Sequence, residues 1–202
     1  MARYTGPKNK LSRRSGQDLG LKTVPIKLAR RLNIPPGQHG RKGTKKQSTY
    51  AIQLREKQKV KWIYGVMEKQ FSLYMVKATK NPQATGDELL RLLERRLDNV
   101  VYRLGLAPTR PAARQLVSHG NVSVNQHKVD RPSFQVKIGD TISITPRAQK
   151  IPVIAGLLAE KNKYLPKWLA RQAAVGKVTA LPQREDIEAA VNENMIVEFY
   201  SR

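Results

Sequence analysis

Between Leu93 and Thr145 the spacing of apolar residues changes once, and that change restricts the folds open to the chain. Leu93, Leu97, Val100, Val101 and Leu104 recur at helical spacing, with Arg95, Arg96, Asn99 and Arg103 off the stripe. Gly105 is the predicted stop, because glycine takes the left-handed conformation past a helix end without strain. Thr109 reads as the N-cap of a second helix with Pro111 in its first turn. That helix buries Ala112, Ala113, Leu116 and Val117 and sets Arg110 and Arg114 one turn apart. Past Gly120 the period drops to two: Val122 and Val124, then Phe134, Val136 and Ile138, then Ile142 and Ile144, with Gly139-Asp140 as a turn. The spacing predicts two short helices feeding a small sheet, with arginines gathered on the helices.

Charge names the class of partner. The chain has 202 residues and a formal net charge of +23, so a polyanion is the default partner. The basic residues lack a long companion face of Trp, Phe and Leu, which disfavours an anionic membrane surface. No run approaches a membrane span, and the first ten residues have no apolar core of the kind a secretion signal needs, so a cytoplasmic location is expected. The cations are uneven: residues 1–46 hold 13 Lys and Arg against one acid, Asp18, whereas residues 178–202 hold two against five acids.

The stretch 94–145 resembles the small RNA-binding module named after bacterial small-subunit ribosomal protein four. Arg96-Leu97-Asp98, Arg103-Leu104-Gly105, Thr109-Arg110, Ala113 to Val117, His119-Gly120, Val124-Asn125 and Gly139-Asp140 carry the resemblance. The module alone is shared by pseudouridine synthases, some tRNA synthetases and stress proteins, so it implies RNA before it implies a ribosome. One position departs from the family: where glycine often follows Val-Asn, this chain has Gln126, which implies another turn type or a side chain in the left-handed region.

Residues 1–46 are rich in Gly, Pro, Ser and cations, with Leu19, Leu21, Val24, Ile26, Leu28, Leu32 and Ile34 as sparse apolar anchors, too few to offset chain entropy alone. Two readings stand: a solvated tail, or an arm that orders on RNA with Arg3, Lys8, Lys10, Arg13, Arg14, Arg30, Arg31, Arg41 and Lys42 near phosphates and Gly37-Gln38-His39-Gly40 allowing close backbone approach. Met1 to Lys8 and Pro36 to Gly40 extend the resemblance from the module to the ribosomal protein family. Many members hold a zinc through two cysteines just after Gly-Pro-Lys. Asn9 and Ser12 stand there, the chain has no cysteine, and its three histidines (His39, His119, His127) are scattered, so no metal and no cofactor are expected.

Residues 48–74 read as one long helix or two with a bend, Ser48 capping the start and Val60, Ile63, Met67, Phe71 and Tyr74 forming a core stripe. Lys57, Lys59, Lys61 and Trp62 are left open between an RNA contact and a solvated face, and Thr85 with Glu88 is a capping-box pattern. Pro146 to Lys177 reads as irregular and basic, with Tyr164, Pro166 and Trp168 as packing anchors; for Trp168 a core place is favoured over stacking on a base. From Pro182 a helix is expected, with Glu185, Asp186 and Glu188 in or near its first turn, followed by Ile196 to Tyr200. Arg184 to Ile187 and Ile196 to Arg202 also resemble the family's closing residues, and the family implies that this end packs back on the helical region before the module.

The expected architecture is α+β and mainly helical: a basic extended arm (1–46), a discontinuous helical domain (47–92 with 178–202) and a two-helix-plus-sheet RNA-binding module (93–177, core 94–145). No catalytic residues are assigned, since the acids form no persuasive pair and neither a phosphate loop nor clustered histidines occur. The RNA-facing set is Arg3, Lys8, Arg13, Arg14, Arg30, Arg31, Gln38, His39, Arg41, Lys42, Arg95, Arg96, Arg103, Arg110, Arg114, His119 and Asn125, with Arg103 equally able to pair with Asp98 or another acid. Glu188, Glu193 and Glu198 are assigned to a basic protein neighbour. The family resemblance implies small-subunit ribosomal RNA as partner, at a multi-helix junction of the 5′ domain, early in assembly. It further implies proximity to small-subunit protein five and to the path by which messenger RNA enters, influence on decoding accuracy, and a cytoplasmic or plastid ribosome. The alternative is a free RNA-binding translational regulator or RNA chaperone using the same module.

Overall fold

The computed structural model describes residues 3–24, 26–40, 46–81, 84–160, 165–187 and 191–201. In order these carry α1 (Lys8–Ser15), α2 (Ile26–Ala29), α3 (Thr49–Ile63), α4 (Glu68–Ala78), α5 (Thr85–Glu94), α6 (Leu97–Arg103) and α7 (Arg110–Ser118). Three strands follow, β1 (Val122–Val124), β2 (His127–Lys128) and β3 (Thr141–Ile144), then α8 (Pro146–Gln149) and α9 (Pro152–Ala159). Two more strands, β4 (Leu169–Gln172) and β5 (Val175–Val178), precede a 3-10 turn at Arg184–Asp186 and α10 (Glu193–Tyr200). The chain divides into two units, Met1–Gly86 with Ala190–Arg202, and Asp87–Ala189.

In the first unit the Ser48 hydroxyl accepts from the Ala51 N–H and starts α3. Val60, Ile63, Phe71 and Tyr74 of the expected stripe are buried, whereas Met67 is exposed because it caps α4 from outside. α10 packs on α3, with Phe199 and Tyr50 ring centroids 5.6 Å apart and Tyr200 stacked on Phe71 at 6.2 Å. The N-terminal segment is less extended than its composition predicts. α1 and α2 form in it, α1 packs against α2 and α3, and Leu11, Leu19, Leu21 and Leu28 are buried. The missing apolar area comes from a partner helix distant in sequence, which composition does not count. The last helix also differs from expectation: Glu185 and Asp186 sit in the 3-10 turn, and the α-helix lies further on, at α10.

In the second unit α6 and α7 pack together over an antiparallel sheet of order β2-β1-β3-β5-β4. Its core includes Leu97, Val100, Val101, Leu104, Val117, Val122, Ile142, Ile144, Trp168 and Val178. Trp168 is therefore a core residue, and its indole N–H has no acceptor among the described residues. The two helix stops behave as expected: Leu106 N–H donates to the Val101 carbonyl and Asn121 N–H to the Leu116 carbonyl, around Gly105 and Gly120. Thr109 caps α7 by accepting from the Ala112 N–H.

Three local expectations are corrected. The stripe from Leu93 to Leu104 is not one helix: α5 stops at Glu94, Arg96 is extended and bridges Gln135, and α6 begins at Leu97. The break exists because segment 132–136 docks into it, with Leu97 N–H donating to the Phe134 carbonyl and Val136 N–H to that of Arg95. For the same reason Phe134, Val136 and Ile138 form no strand and do not share one buried face: Val136 is buried, while Phe134 and Ile138 are exposed. The stretch expected to be irregular instead supplies α8, α9 and the β4–β5 hairpin, which extends the sheet through β3.

The Val124–His127 pair closes β1 and β2 around Asn125-Gln126, at φ 49° and 69°. Two positive φ values in a two-residue hairpin define a type I′ turn, so the departure from glycine places a glutamine side chain in the left-handed region. Gln126→Gly is expected to raise stability by about 0.5–1 kcal/mol, as removed strain exceeds the added chain entropy. Urea unfolding checks this; a decrease would show that the Gln126 side chain makes a compensating contact.

Candidate nucleic-acid interface

The arginines of α6 and its flanks separate into two populations. Arg103 points inward and binds Glu94 through two hydrogen bonds, Nε–Oε2 at 3.1 Å and Nη2–Oε1 at 3.0 Å. Glu94 is fully buried and also accepts from the Asn99 amide at 2.8 Å. Arg96, 1% exposed, makes the same two-pronged contact with Asp98 at 3.0 and 2.7 Å. These two residues are corrected out of the RNA-facing set: their guanidinium groups neutralise buried carboxylates, and withdrawing either would take a two-pronged charged partner from a carboxylate in the core. For Arg103 the pairing partner is Glu94, on the helix before the break.

The remaining members of the set are placed as follows. Arg114 lies 3.6 Å from Asp98 with its side chain 13% exposed, and Arg110 donates to the Asn99 side-chain oxygen at 2.8 Å while lying over the Tyr102 ring at 4.5 Å. Both are half-buried on α7, so each keeps one edge outward. Arg95 is half-buried and donates to the Val136 carbonyl at 3.0 Å. Arg13 holds the Ile34 and Pro35 carbonyls at 2.8 and 3.1 Å, and Lys8 donates to the Tyr4 carbonyl at 2.8 Å, so both anchor the chain locally. Asn125 is exposed, yet its amide is used within the chain: it donates to Asp140 at 2.8 Å and accepts from the Thr141 N–H at 2.9 Å, tying the two turns together. Arg3, Arg14, Arg30, Arg31, Gln38, His39 and His119 are exposed. Arg41 and Lys42 lie outside the described residues.

The open question at α3 resolves inward. Lys57 and Lys59 are buried, Lys57 pairing with Glu68 at 2.8 Å and lying 4.2 Å from the Phe199 ring centroid, Lys59 pairing with Glu56 at 2.8 Å. Glu68 also receives Lys61 at 2.7 Å and the Tyr200 hydroxyl at 3.0 Å. Partial burial pushes its carboxyl up, but the hydrogen bonds from Lys57, Lys61 and Tyr200 outweigh that and hold it at about 2, down from an ordinary 4.5. Burial, then the same carboxylate, pushes the Tyr200 phenol up. Because the folded-state value is depressed, the stabilisation is present above pH 4.5 and lost as pH falls toward 2. Glu68 is 48% exposed, which keeps the effect small. NMR titration is expected to place its midpoint near 2, with Glu68→Gln removing that part of the acid sensitivity; an ordinary midpoint would mean the three contacts do not persist in solution.

The acids assigned to a neighbour are partly engaged within the chain. Glu198 accepts from Gln53 at 2.8 Å, joining α10 to α3, and Glu193 is half-buried beside Gly86. Glu188 lies outside the described residues, as does the expected anchor Tyr164. Sequence reasoning passed over Glu94, whose partner Arg103 is nine positions away and on another helix, and Arg171, which sits in a stretch without apolar periodicity. Among the described residues no group of three or more His, Asp and Glu could hold a metal ion, and no helix is long and apolar enough to cross a membrane.

A helix-pair module on a small antiparallel sheet, preceded by a segment whose exposed arginines face solvent, defines an RNA-binding protein. Family comparison makes this particular. Residues 3–94 match the ribosomal protein S4/S9 N-terminal domain and residues 95–142 match the S4 domain. Similar proteins include the small ribosomal subunit protein uS4 of Desulfitobacterium hafniense (strain DSM 10664 / DCB-2), 49% identical over 209 residues, and that of Chloroflexus aurantiacus (strain ATCC 29366 / DSM 635 / J-10-fl), 49% over 211. The uS4 of Desulforamulus reducens is 51% identical over 210 residues, and all three alignments cover 100% of both chains. The chain belongs to the uS4 family of small ribosomal subunit proteins, a family of ribosomal components and not of enzymes.

Proposed function

We propose that this chain binds small-subunit ribosomal RNA directly, at a multi-helix junction of the 5′ domain, and does so early enough to nucleate assembly. One observation carries the reading: Arg3, Arg14, Arg30 and Arg31 are exposed in a segment with a single acid, and none has an ion-pair partner among the described residues. Uncompensated cations on a chain of a ribosomal family are phosphate ligands in waiting, since each contact releases condensed counterions. Arg110 and Arg114 supply further cations, the exposed His39 and Gln38 add to the N-terminal set, and Arg41 and Lys42 are counted with it from the sequence alone. The acidic end, with Glu188, Glu193 and Glu198, repels phosphate and is read as the part that meets a basic neighbour, small-subunit protein five, near the path by which messenger RNA enters, with influence on decoding accuracy. The family's bacterial members support a cytoplasmic ribosome as the location.

The decisive test uses the four arginines together. Changing Arg3, Arg14, Arg30 and Arg31 to glutamine is expected to leave thermal unfolding unchanged and to flatten the salt dependence of binding to a 5′-domain transcript by roughly 3, since each phosphate no longer neutralised lowers the slope by roughly 0.7–0.9. An unchanged slope would sink the assignment. A wild-type chain released from small subunits by a stringent salt wash would instead favour the free regulator.

A further inference from the structure

α7, β1 and α8 together border a cleft of about 550 Å³ lined by His119, Asn121, Arg147 and Ile151. That volume lies in the roughly 300–1,000 Å³ range of small-ligand sites. Its walls are held by the fold. His119 ends α7 with its N–H on the Gln115 carbonyl, and Gly120, at φ 67°, turns the chain so that Asn121 faces the same opening. The Asn121 carbonyl accepts from Thr145 N–H at 3.1 Å, and its side-chain oxygen receives the Thr145 hydroxyl at 3.5 Å. On the far side Ala148 is buried, Gln149 donates to the Ile144 carbonyl at 2.9 Å, and Ile151 N–H donates to Ala148. Arg147 is thus carried by α8, and Ile151 by the N-cap of α9 that follows it.

The lining groups are chemically mixed, and most of their polar atoms are uncommitted. His119 and Arg147 are exposed, and neither side chain makes a hydrogen bond or ion pair among the described residues. The Asn121 amide NH2 likewise has no acceptor among them, and Ile151 is 39% exposed. A phosphate alone would require the guanidinium but neither an apolar wall nor an amide. A nucleotide uses all four: an imidazole and an aliphatic side chain to sandwich a base, an amide to meet its hydrogen-bonding edge, and a guanidinium for the attached phosphate.

We propose that this cleft takes one unstacked nucleotide of an RNA, its base between His119 and Ile151, its edge on the Asn121 amide and its phosphate on Arg147. The proposal rests on the reading that the chain binds ribosomal RNA, and it adds a position at which a single base is gripped. The test is base-specific chemical probing of a 5′-domain transcript, with dimethyl sulfate and a carbodiimide, bound to full-length wild-type or variant protein. Wild type is expected to change the reactivity of one nucleotide that Asn121→Asp and Ile151→Ser return to its free-RNA level, with other protections intact. His119→Ala should weaken binding about ten-fold through loss of stacking. Arg147→Gln should lower the salt slope by roughly one. Since His119 and Arg147 are exposed, these two variants keep the fold, and their thermal midpoints check it.

If wild type protects the transcript and all variants reproduce its pattern and affinity, the cleft holds no nucleotide, while ribosomal RNA binding stands. If wild type does not bind the transcript, both readings fail. If the variants change no base reactivity but lose a neighbouring protein from reconstituted subunits, the cleft receives a polypeptide and the proposal is overturned.

Discussion

Replacing Arg103 by methionine is expected to lower stability by about 3–5 kcal/mol, seen as an earlier urea midpoint with an unchanged slope. The cause is what stays behind. Glu94 is fully buried, and the change removes the two-pronged guanidinium that neutralises it while the Asn99 amide stays at 2.8 Å. Protonating the carboxylate or opening the helix break then becomes the less costly course. The double change Glu94→Leu with Arg103→Met should recover part of the stability, because two apolar side chains of similar volume need no charge compensation. Were Arg103 a phosphate ligand, the single variant would keep its stability and lose RNA affinity first. Unchanged stability in Arg103→Met would therefore overturn its structural role.

Arg171→Met is the second large effect, expected at about 2–4 kcal/mol. One guanidinium donates to the Leu104 and Gly105 carbonyls at the end of α6, to the Leu157 carbonyl in α9, and to Ala173 in its own hairpin, at 2.9 to 3.3 Å. Helix ends carry unpaired carbonyls, and a fixed cation there meets both the hydrogen-bond and the dipole requirement. Burial lowers the Arg171 pKa and the charge of Glu160 raises it, while the guanidinium stays charged at neutral pH. Arg171→Lys is expected to restore less than half, since an ammonium cannot span four acceptors with one planar fork. Full rescue by lysine would mean that charge alone is required. Both changes leave the exposed N-terminal arginines untouched, so any fall in RNA affinity should track unfolding.

Helix ends were readable without a structure because their chemistry acts over about five residues or fewer. Ser48 and Thr109 cap and Gly105 and Gly120 stop, each from its own local sequence, whereas the turn at Asn125-Gln126 was implied by the family resemblance. The +23 charge likewise named a polyanion before any coordinate did. Tertiary structure alone decided which cations remain outside. Arg103 and Arg114 look alike in sequence, yet one is paired to a carboxylate fully inside the core and the other keeps an edge at the surface. It also decided that residues 132–136 would split one apolar stripe into α5 and α6, and that β4 and β5 would join the sheet beside β3. The physical reason is common to all three: the partners lie from nine to some forty positions apart, and apolar period and charge count carry no information about which distant group a side chain or a strand edge will meet.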